Sequence, residues 1–355
     1  MKSNYLPTDY QSFIGISRYA RWLEELSRRE NWGETVGRYI NNVVIPKIAS
    51  SCEDKGDVYL AKLTTEQRDW VGKIKSAILS LDVMPSMRAV MSAGPALERD
   101  NTAGYNCSYM PVDDPRSFDE AMFILLCGTG VGFSVERQFI SKLPEIPEQL
   151  NHVSAVRIMV EDSKEGWAEA LRKVISYLYE GYIPTWDVSK VRPAGAKLKT
   201  FGGRASGPAP LIDLFNFVVK TFDGAKGRKL SSIECHDIMC KIGEVVVVGG
   251  VRRSAMISLS NLSDDRMRHA KSGAWWENNP QRALANNSVS YTEKPDAVSF
   301  LREWAALVES GSGERGIFNR QASKKQAAKN GRRKTDYEFG TNPCSEIILR
   351  PYQFC

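Results

Sequence analysis

The segment from Thr341 to Glu346 brings an amide, a thiol and a carboxylate together in the sequence. Asn342, Cys344 and Glu346 stand at alternate positions, so an extended or looped backbone directs all three side chains to one side. Pro343 fixes its own φ and stiffens the segment. A nucleophilic cysteine normally has a histidine or cationic neighbour that stabilises thiolate. Because the neighbour here is anionic, we expect a neutral thiol, which is the state that donates a hydrogen atom to a radical.

Further cysteine- and glycine-containing segments precede this one in the chain. They are Asn106-Cys107-Ser108, Cys127–Phe133, Arg192–Gly195, Val248–Ser254 and Gly313–Arg320. In this order, and with Cys355 eleven residues after Cys344, they resemble the N-terminal half of the adenosylcobalamin-dependent (class II) ribonucleotide reductases, of the ribonucleoside-triphosphate reductase type. The resemblance covers nearly the whole chain. The second cysteine lies further on in class I enzymes, whose radical comes from a metal-containing second subunit, and the large subunit of such an enzyme is the alternative.

The resemblance implies a catalytic role for each of five residues. Cys344 would carry a thiyl radical that removes the 3′-hydrogen of the ribose, and Glu346 would accept the proton of the 3′-hydroxyl. Asn342 would hold the ribose hydroxyls through its amide. Cys107 and Cys355 would reduce the 2′ carbon and end as a disulfide. Taken by itself, Cys107 is better explained as a buried core cysteine, and its place in Asn-Cys-Ser before the glycine segment reverses that preference.

The resemblance also implies nucleotide-binding residues outside this group. The expected substrate-binding residues are Ser86, Asn106, Ser108, Gly130, Val131 and Gly132. We expect backbone N–H groups of the glycine segment to approach the substrate, although a plain helix-to-strand turn is the alternative. The residues expected to contact a deoxynucleotide effector, or to link it to the substrate base, are Asp114, Lys199, Arg204, Gly249, Gly250, Arg252 and Arg253.

These residues need a scaffold, and the sequence pattern predicts an α/β fold. From about residue 105 short apolar runs alternate with helical segments, which is typical of this class. The resemblance implies a mainly helical region over 1–104 and the first half of a ten-stranded α/β barrel over 105–340. Part of the central finger loop follows over 341–355. We expect the remainder of the barrel to be absent from this chain.

Local patterns predict individual helices and strands. Apolar residues recur at helical spacing in Tyr19–Leu26, and Thr64 begins another helix. The continuous run Val245–Val248 predicts a strand buried on both faces, and Met256–Leu259 predicts a second strand. The basic stretch Ser323–Lys334 predicts a solvated loop, with a phosphate-attracting lid as the alternative. Further helices are predicted over 117–127, 162–180, 210–221, 231–243 and 297–310.

Composition limits the class of protein. The chain has 355 residues, 42% of them hydrophobic and 25% charged, which is enough for a sizeable core. No apolar run approaches the roughly 20 residues that span a bilayer, and the first residues have no signal-peptide pattern, so we expect a cytoplasmic protein without a membrane partner. Seven scattered cysteines without a C-x-x-C pair predict neither a disulfide framework nor a metal site. Cys235, His236 and Cys240 are expected to pack in a helical core.

The leading hypothesis is reduction of ribonucleotides, with triphosphates the expected substrates and adenosylcobalamin as cofactor. The partners that the resemblance implies are a deoxynucleotide effector, a thioredoxin-type reductant and the C-terminal half of the enzyme, without which we expect the fragment to be inactive. A non-catalytic fragment that works only with that half is a second hypothesis. Nucleic-acid binding through the basic stretch is disfavoured, because no aromatic stacking pattern accompanies it.

Overall fold

The computed structural model of the protein describes residues 6–49, 63–196, 204–248 and 255–355. The chain divides into two compact units, Met1–Tyr105 and Asn106–Cys355. Each unit has a hydrophobic cluster of its own. Within the described ranges, no helix combines the length and the apolar character needed to cross a membrane.

The first unit consists mainly of short helices. They are α1 (Asp9–Ile14), α2 (Trp32–Tyr39), α3 (Ile45–Ala49), α4 (Thr65–Leu79), α5 (Met87–Ser92) and α6 (Pro95–Arg99), with β1 (Trp22–Leu23) and β2 (Arg28–Arg29) as a hairpin between α1 and α2. At the start of α4, Thr64 Oγ1 accepts the Gln67 N–H at 3.2 Å and Gln67 Oε1 accepts the Thr64 N–H at 2.9 Å. This capping box confirms the helix start predicted at Thr64.

The helix predicted from the apolar spacing of Tyr19–Leu26 is wrong. A π-helical segment ends at Tyr19, and the chain then turns into the β1–β2 hairpin. The buried carboxylate of Glu30 accepts from the backbone N–H of Arg21 at 3.0 Å and from Arg38 Nε at 2.8 Å. These bonds hold the two ends of the hairpin together. The buried ion pair favours the hairpin more strongly than the apolar residues favour a helix, because side chains such as Trp22 and Leu26 stay exposed.

The second unit alternates strands and helices. Its strands are β3 (Cys107–Pro111), β4 (Gly130–Ser134), β5 (Asn151–Met159), β6 (Tyr182–Asp187), β7 (Met256–Asn261), β8 (Ala285–Tyr291), β9 (Gly316–Asn319), β10 (Gly340–Thr341), β11 (Ile348–Leu349) and β12 (Gln353–Phe354). Its helices are α7 (Ser117–Leu126), α8 (Arg137–Ile140), α9 (Lys164–Tyr179), α10 (Ala209–Asp223), α11 (Ser232–Val248), α12 (Asp265–Arg268), α13 (Trp275–Asn278), α14 (Ala297–Ser310) and α15 (Arg320–Ala328). The predicted α/β class, the strand at Met256 and the five predicted helices of this unit are confirmed.

The central sheet has the strand order β12-β3-β4-β7-β8-β9. Five of its strands, β3, β4, β7, β8 and β9, run parallel, and β12 joins β3 antiparallel. β5 and β6 form a separate parallel pair, and β10 and β11 form a hairpin. Helices lie in each connection between successive parallel strands of this sheet, because parallel pairing requires a crossover.

The two faces of the sheet carry different layers because side chains alternate along each strand. Val131 and Phe133 of β4 and Met110 of β3 belong to the main core with α7, α9, α10 and α11. Tyr109 of β3 faces the other way and clusters with Leu349 of the hairpin. The helices therefore cover one face, and the β10–β11 hairpin lies against the other.

The strand predicted for Val245–Val248 is wrong, because α11 continues through the valines to Val248. A stripe of buried residues keeps a helical spacing of three and four up to and including the first two valines. The stripe consists of Cys235, Ile238, Met239, Ile242, Val245 and Val246. Packing of this stripe into the core outweighs the β preference of branched side chains. Cys235, His236 and Cys240 lie in this helix and are buried, as expected.

Candidate active site

The β10–β11 hairpin holds the segment with the amide, thiol and carboxylate. Thr341 pairs with Ile348, and Asn342 closes the loop between the two strands. The Asn342 N–H donates to the Ile347 carbonyl at 3.3 Å, and Asn342 Oδ1 accepts the Ile347 N–H at 3.1 Å. Thr341 Oγ1 donates to the same carbonyl at 3.0 Å. Asn342 is fully buried, so its amide fixes the shape of the loop.

The tip of the hairpin is open to solvent. Cys344 and Glu346 are exposed, and Cys344 is the one exposed thiol among the six described cysteines. Ser345 between them has a left-handed φ of 64°, and its N–H donates to the Asn342 carbonyl at 2.9 Å. This tight turn presents the Cys344 thiol to a reagent that approaches from outside the chain.

Two glycines of β4 allow the hairpin to lie directly on the sheet. A Cβ on Gly132 would stand 1.8 Å from the Thr341 carbonyl oxygen, and one on Gly130 would stand 2.9 Å from Pro343 Cγ. Both are closer than real Cβ atoms come to their neighbours. Only a residue without a side chain permits this approach, which explains the glycines at alternate positions of one strand.

The backbone amides of the same glycine segment are used within the sheet. The Gly130 N–H donates to the Asn106 carbonyl at 2.8 Å, and the Val131 N–H donates to the Ala255 carbonyl at 3.0 Å. Each of these hydrogens therefore already has an acceptor within the sheet, and the expected approach of the two N–H groups to a substrate stays a prediction. The missing side chain of Gly130 makes room for the hairpin.

The structure brings Cys107 and Cys355 together at the base of the hairpin. β12 pairs with β3 so that Phe354 lies opposite Ser108, and the next step of that register sets Cys355 opposite Cys107. The Cys355 N–H donates to the Cys107 carbonyl at 2.9 Å. Side chains directly opposite one another in an antiparallel pair point to the same face. Asn342 Nδ2 lies 3.6 Å from Cys107 Sγ, so the hairpin amide meets the cysteine pair.

The environment of Cys107 favours its neutral thiol. Burial raises the pKa of Cys107 to about 12, and the neighbouring Cys355 and Cys344 thiols act in the same direction. The Asn342 amide opposes them but does not cancel the effect of burial. Two neighbouring sulfur atoms therefore add to the effect of burial on Cys107, and at neutral pH its thiol keeps its hydrogen.

A buried ion pair anchors the start of the hairpin, and sequence reasoning missed it. Arg320, at the first position of α15, makes a two-pronged contact with Glu136, which follows β4; Nη1 to Oε1 is 2.9 Å. Arg320 Nε also donates to the Phe339 carbonyl at 2.7 Å, one residue before β10. Both charges are buried. The only signal in the sequence was the Gly313–Arg320 segment, which supported the resemblance without suggesting this role.

The basic stretch Ser323–Lys334 anchors the other end of the hairpin. Its first half belongs to α15, so the predicted solvated loop is wrong there, whereas residues 329–334 follow the helix and are mostly exposed. Arg333 Nη1 donates to the Ile348 carbonyl at 3.1 Å, and its Nη2 donates to Gln353 Oε1 at 3.3 Å. Arg333 thus links β11 to β12, the strand that leads to Cys355.

The remaining predicted residues lie in local hydrogen-bonding roles or outside the described ranges. Ser86 caps α5 by accepting the Ala89 N–H at 3.4 Å, and the buried Ser108 hydroxyl donates to the Gly130 carbonyl at 3.1 Å. Asp114 Oδ1 accepts the Arg116 N–H at 2.8 Å, and the exposed Arg204 donates to the Gly195 carbonyl at 2.8 Å. The predicted residues outside the described ranges are Lys199, Gly249, Gly250, Arg252 and Arg253.

We expect iodoacetamide at about pH 8 to label Cys344 at least tenfold faster than Cys107, because alkylation requires thiolate and access. The raised pKa of Cys107, about 12 against an ordinary 9.0, keeps its thiolate fraction small. The same shift lowers the free energy of unfolding as the pH rises from about 9 to about 12, because the Cys107 thiol ionises in the unfolded chain before it ionises in the folded one. Timed quenching and peptide mass spectrometry give both rates. Equal rates for the two cysteines would contradict the assigned environment.

Comparison with known proteins identifies one group of relatives. Residues 145–222, which include β5, α9 and β6, match the family described as B12-dependent ribonucleotide reductase, insertion domain. The chain is 31% identical to an adenosylcobalamin-dependent ribonucleoside-triphosphate reductase of Lacticaseibacillus paracasei, over 95% of this chain and 52% of the relative. It is 28% identical to the protein of that name from Lactobacillus leichmannii, again over 95% of this chain and 52% of the relative.

A solved structure agrees with the sequence comparisons. The fold is similar to a crystal structure of B12-dependent (class II) ribonucleotide reductase, with a TM-score of 0.76 and 25% identity over 96% of this chain and 54% of that chain. The predicted resemblance and the partial barrel are thereby confirmed. The chain spans about half the length of the curated relatives it matches.

Proposed function

We propose that this chain, a relative of the B12-dependent (class II) ribonucleotide reductases, supplies the cysteines that reduce ribonucleotides to deoxyribonucleotides. The observation that carries the proposal is the opposed pair Cys107 and Cys355 beneath the hairpin that presents Cys344. A pair of thiols able to become a disulfide supplies the two electrons that the reduction consumes. A third, exposed thiol next to them is suited to carry the radical.

Each residue of the site has a task in this chemistry. The Cys344 thiyl takes the 3′-hydrogen of the ribose and returns it at the end, while Glu346 accepts the 3′-hydroxyl proton. The 2′-hydroxyl leaves as water with a proton from the Cys107–Cys355 pair, which then reduces the 2′ carbon and ends as a disulfide. Burial of Cys107 keeps the hydrogen of its thiol in place at neutral pH. Asn342 Oδ1 is committed to the loop, so we assign its Nδ2, which faces Cys107, to the ribose hydroxyls.

Adenosylcobalamin is the proposed cofactor, and when bound it supplies the radical that Cys344 carries. The exposure of Cys344 fits this, since the thiol is open to an approaching radical source while the other described cysteines are buried or half-buried. The relatives are named as adenosylcobalamin-dependent enzymes, which favours cobalamin over the metal-dependent class I alternative. Among the described residues, we assign none as a cobalamin contact.

The proposal extends to substrates, partners and location. The names of the relatives support ribonucleoside triphosphates as substrates. Because the relatives are about twice as long, we propose that a complementary C-terminal half completes the site, with a thioredoxin-type reductant restoring the thiols. A deoxynucleotide effector would bind near the loops that contain Asp114 and Arg204. A mechanism that needs free thiols fits the reducing cytoplasm.

A single turnover tests the proposal. The chain is combined with the portion of the Lacticaseibacillus paracasei relative that it does not match, then given adenosylcobalamin and a ribonucleoside triphosphate without external reductant. We expect one deoxynucleotide per site and one new disulfide, between Cys107 and Cys355. Product without that disulfide, or a disulfide between Cys107 and Cys127, would refute the assignment of the pair. Cys127 is the contrasting thiol, because it is buried and contacts Lys164 Nζ at 3.1 Å.

A further inference from the structure

Cys127 and Lys164 meet at a point that the proposed reaction does not use. Cys127 ends α7 as its C-terminal cap and is 1% exposed, and Lys164 is the first residue of α9. Lys164 Nζ lies 3.1 Å from Cys127 Sγ, although the two residues are 37 positions apart in the chain. The fold therefore places an amine nitrogen in direct contact with a buried sulfur atom. We call these two residues the Cys127–Lys164 pair.

Local contacts hold both members of the pair in position. The Cys127 N–H donates to the Phe123 carbonyl at 3.0 Å, and Lys164 Nζ lies 4.7 Å from the centroid of the Phe123 ring. Ser163 caps α9 and fixes the backbone just before Lys164. The Glu165 carboxylate lies 3.7 Å from the same nitrogen. Because Phe123 contacts both residues, the nitrogen stays close to the sulfur.

Burial decides which reagents reach the sulfur. The Cys127 side chain is enclosed, so protein thiols and other large molecules cannot form a mixed disulfide with it. Dissolved O2 is small enough to enter through local opening of the fold. The Lys164 side chain is 28% exposed, so its ammonium can release a proton to water. The group nearest to an oxidised Cys127 is therefore the amine of Lys164.

The separation of the two atoms indicates the kind of link that they form. A covalent S–S bond is about 2.0 Å long and an S–N bond is shorter, so a direct bond would require the nitrogen to move by more than about 1 Å. A single oxygen atom between them requires a smaller movement, because it leaves the sulfur and the nitrogen further apart than a direct bond does. The 3.1 Å contact therefore favours an oxygen-bridged link.

We propose that the Cys127–Lys164 pair is a site of oxidative modification, at which O2 converts the thiol and the amine into a covalent S–O–N bridge. The Lys164 ammonium first gives up a proton to water. The S–H bond and one N–H bond of the neutral amine then break, and S–O and O–N bonds form with one atom of O2. The other oxygen atom leaves as water with the two hydrogens. Sulfur and nitrogen each lose two electrons, and O2 gains the four.

The bridge ties the candidate site to the segment that matches the insertion domain. Cys127 lies just before the glycines of β4 that make room for the hairpin, and Lys164 lies within residues 145–222. A covalent link of this kind stabilises the folded chain mainly by restricting the unfolded one, so we expect the midpoint of thermal unfolding to rise by roughly 5 °C or more. The inference does not rest on the proposed function, since none of the residues assigned to the reaction takes part.

Mass spectrometry of the whole chain tests the proposal. One sample is kept under air and another under nitrogen, free thiols are blocked after denaturation, and the proteolytic peptides are compared. We expect, in the aerobic sample alone, two peptides joined through Cys127 and Lys164. Their joint mass should exceed that of the separate peptides by one oxygen less two hydrogens, and dithiothreitol should release them.

Lys164→Arg is the matched variant, because arginine keeps the positive charge but presents a delocalised guanidinium instead of an amine. Its aerobic sample should show neither the joined peptides nor the rise in the unfolding midpoint, and circular dichroism checks that it is folded. A free Cys127 thiol in an aerobic sample whose Cys344 has been oxidised would overturn the proposal. So would an oxidised Cys127 that is not joined to Lys164, a link that lacks the oxygen, or an equal rise of the midpoint in Lys164→Arg.

Discussion

Replacement of Cys344 by serine is expected to abolish deoxynucleotide formation while leaving nucleotide binding nearly unchanged. The reason is chemical, because an O–H bond is much stronger than an S–H bond and a serine hydroxyl cannot relay the radical. Cys344 is exposed at the hairpin tip, whereas the bonds that shape the loop belong to Thr341, Asn342 and Ile347. The substitution should therefore leave the fold intact, and the loss should exceed a thousandfold, or about 4 kcal/mol of transition-state stabilisation.

The measurement compares product formation and nucleotide affinity in the reconstituted protein. Ser345→Ala is the control, because it changes the exposed neighbour of Cys344 without removing a thiol. It should keep most of the activity. If Cys344→Ser retained more than about a tenth of the activity, the radical would have to reside elsewhere and the assignment would be wrong.

The grouping of candidate-site residues was predictable from sequence where the residues are neighbours in the chain. Asn342, Cys344 and Glu346 share one hairpin, and their residue types define what that hairpin can do. Cys107 and Cys355 lie far apart in the sequence, and no local pattern pairs them. The resemblance linked them, and the β3–β12 register then gives a physical reason for their proximity.

The supports of the site were not predictable, because they join distant segments. Glu136 and Arg320 are 184 residues apart and meet only after β4 and α15 are placed on the folded sheet. An arginine in or near a basic stretch is normally expected at the surface, yet Arg320 is buried and Arg333 links two strands. Local charge patterns contain no information about such partners.

Local propensity also failed where tertiary packing decided the outcome. The valines at 245 and 246 favour a strand, but they extend the buried stripe of α11 and remain helical. In the glycine segment the expected substrate contacts of the residues stay a prediction, and the packing role of these residues was missed. Their amides bond within the sheet, while their missing side chains make room for the hairpin.

Gly132→Ala tests that interpretation, and we expect it to displace the hairpin. The added methyl would stand 1.8 Å from the Thr341 carbonyl oxygen and 3.3 Å from Ile257 Cγ2. Gly132 cannot retreat, because β4 is paired with Tyr109 of β3 on one side and Ile257 of β7 on the other. The hairpin must therefore lift from the sheet, which would separate Asn342 from Cys107. We expect the free energy of unfolding to fall by roughly 3 kcal/mol, together with near-complete loss of reductase activity.

Gly224→Ala supplies the matched control in the same unit. Gly224 follows α10 with a helical φ of −70°, and a Cβ there would meet its nearest atoms at 3.6 Å, an ordinary contact. This change should alter stability by at most about 1 kcal/mol, in the stabilising direction, because alanine restricts the unfolded chain. Urea unfolding gives both free energies, and oxidation of the thiols with diamide reports the spacing of Cys107 and Cys355. A Gly132→Ala protein as stable and as active as the control would show that the hairpin does not depend on close contact with β4.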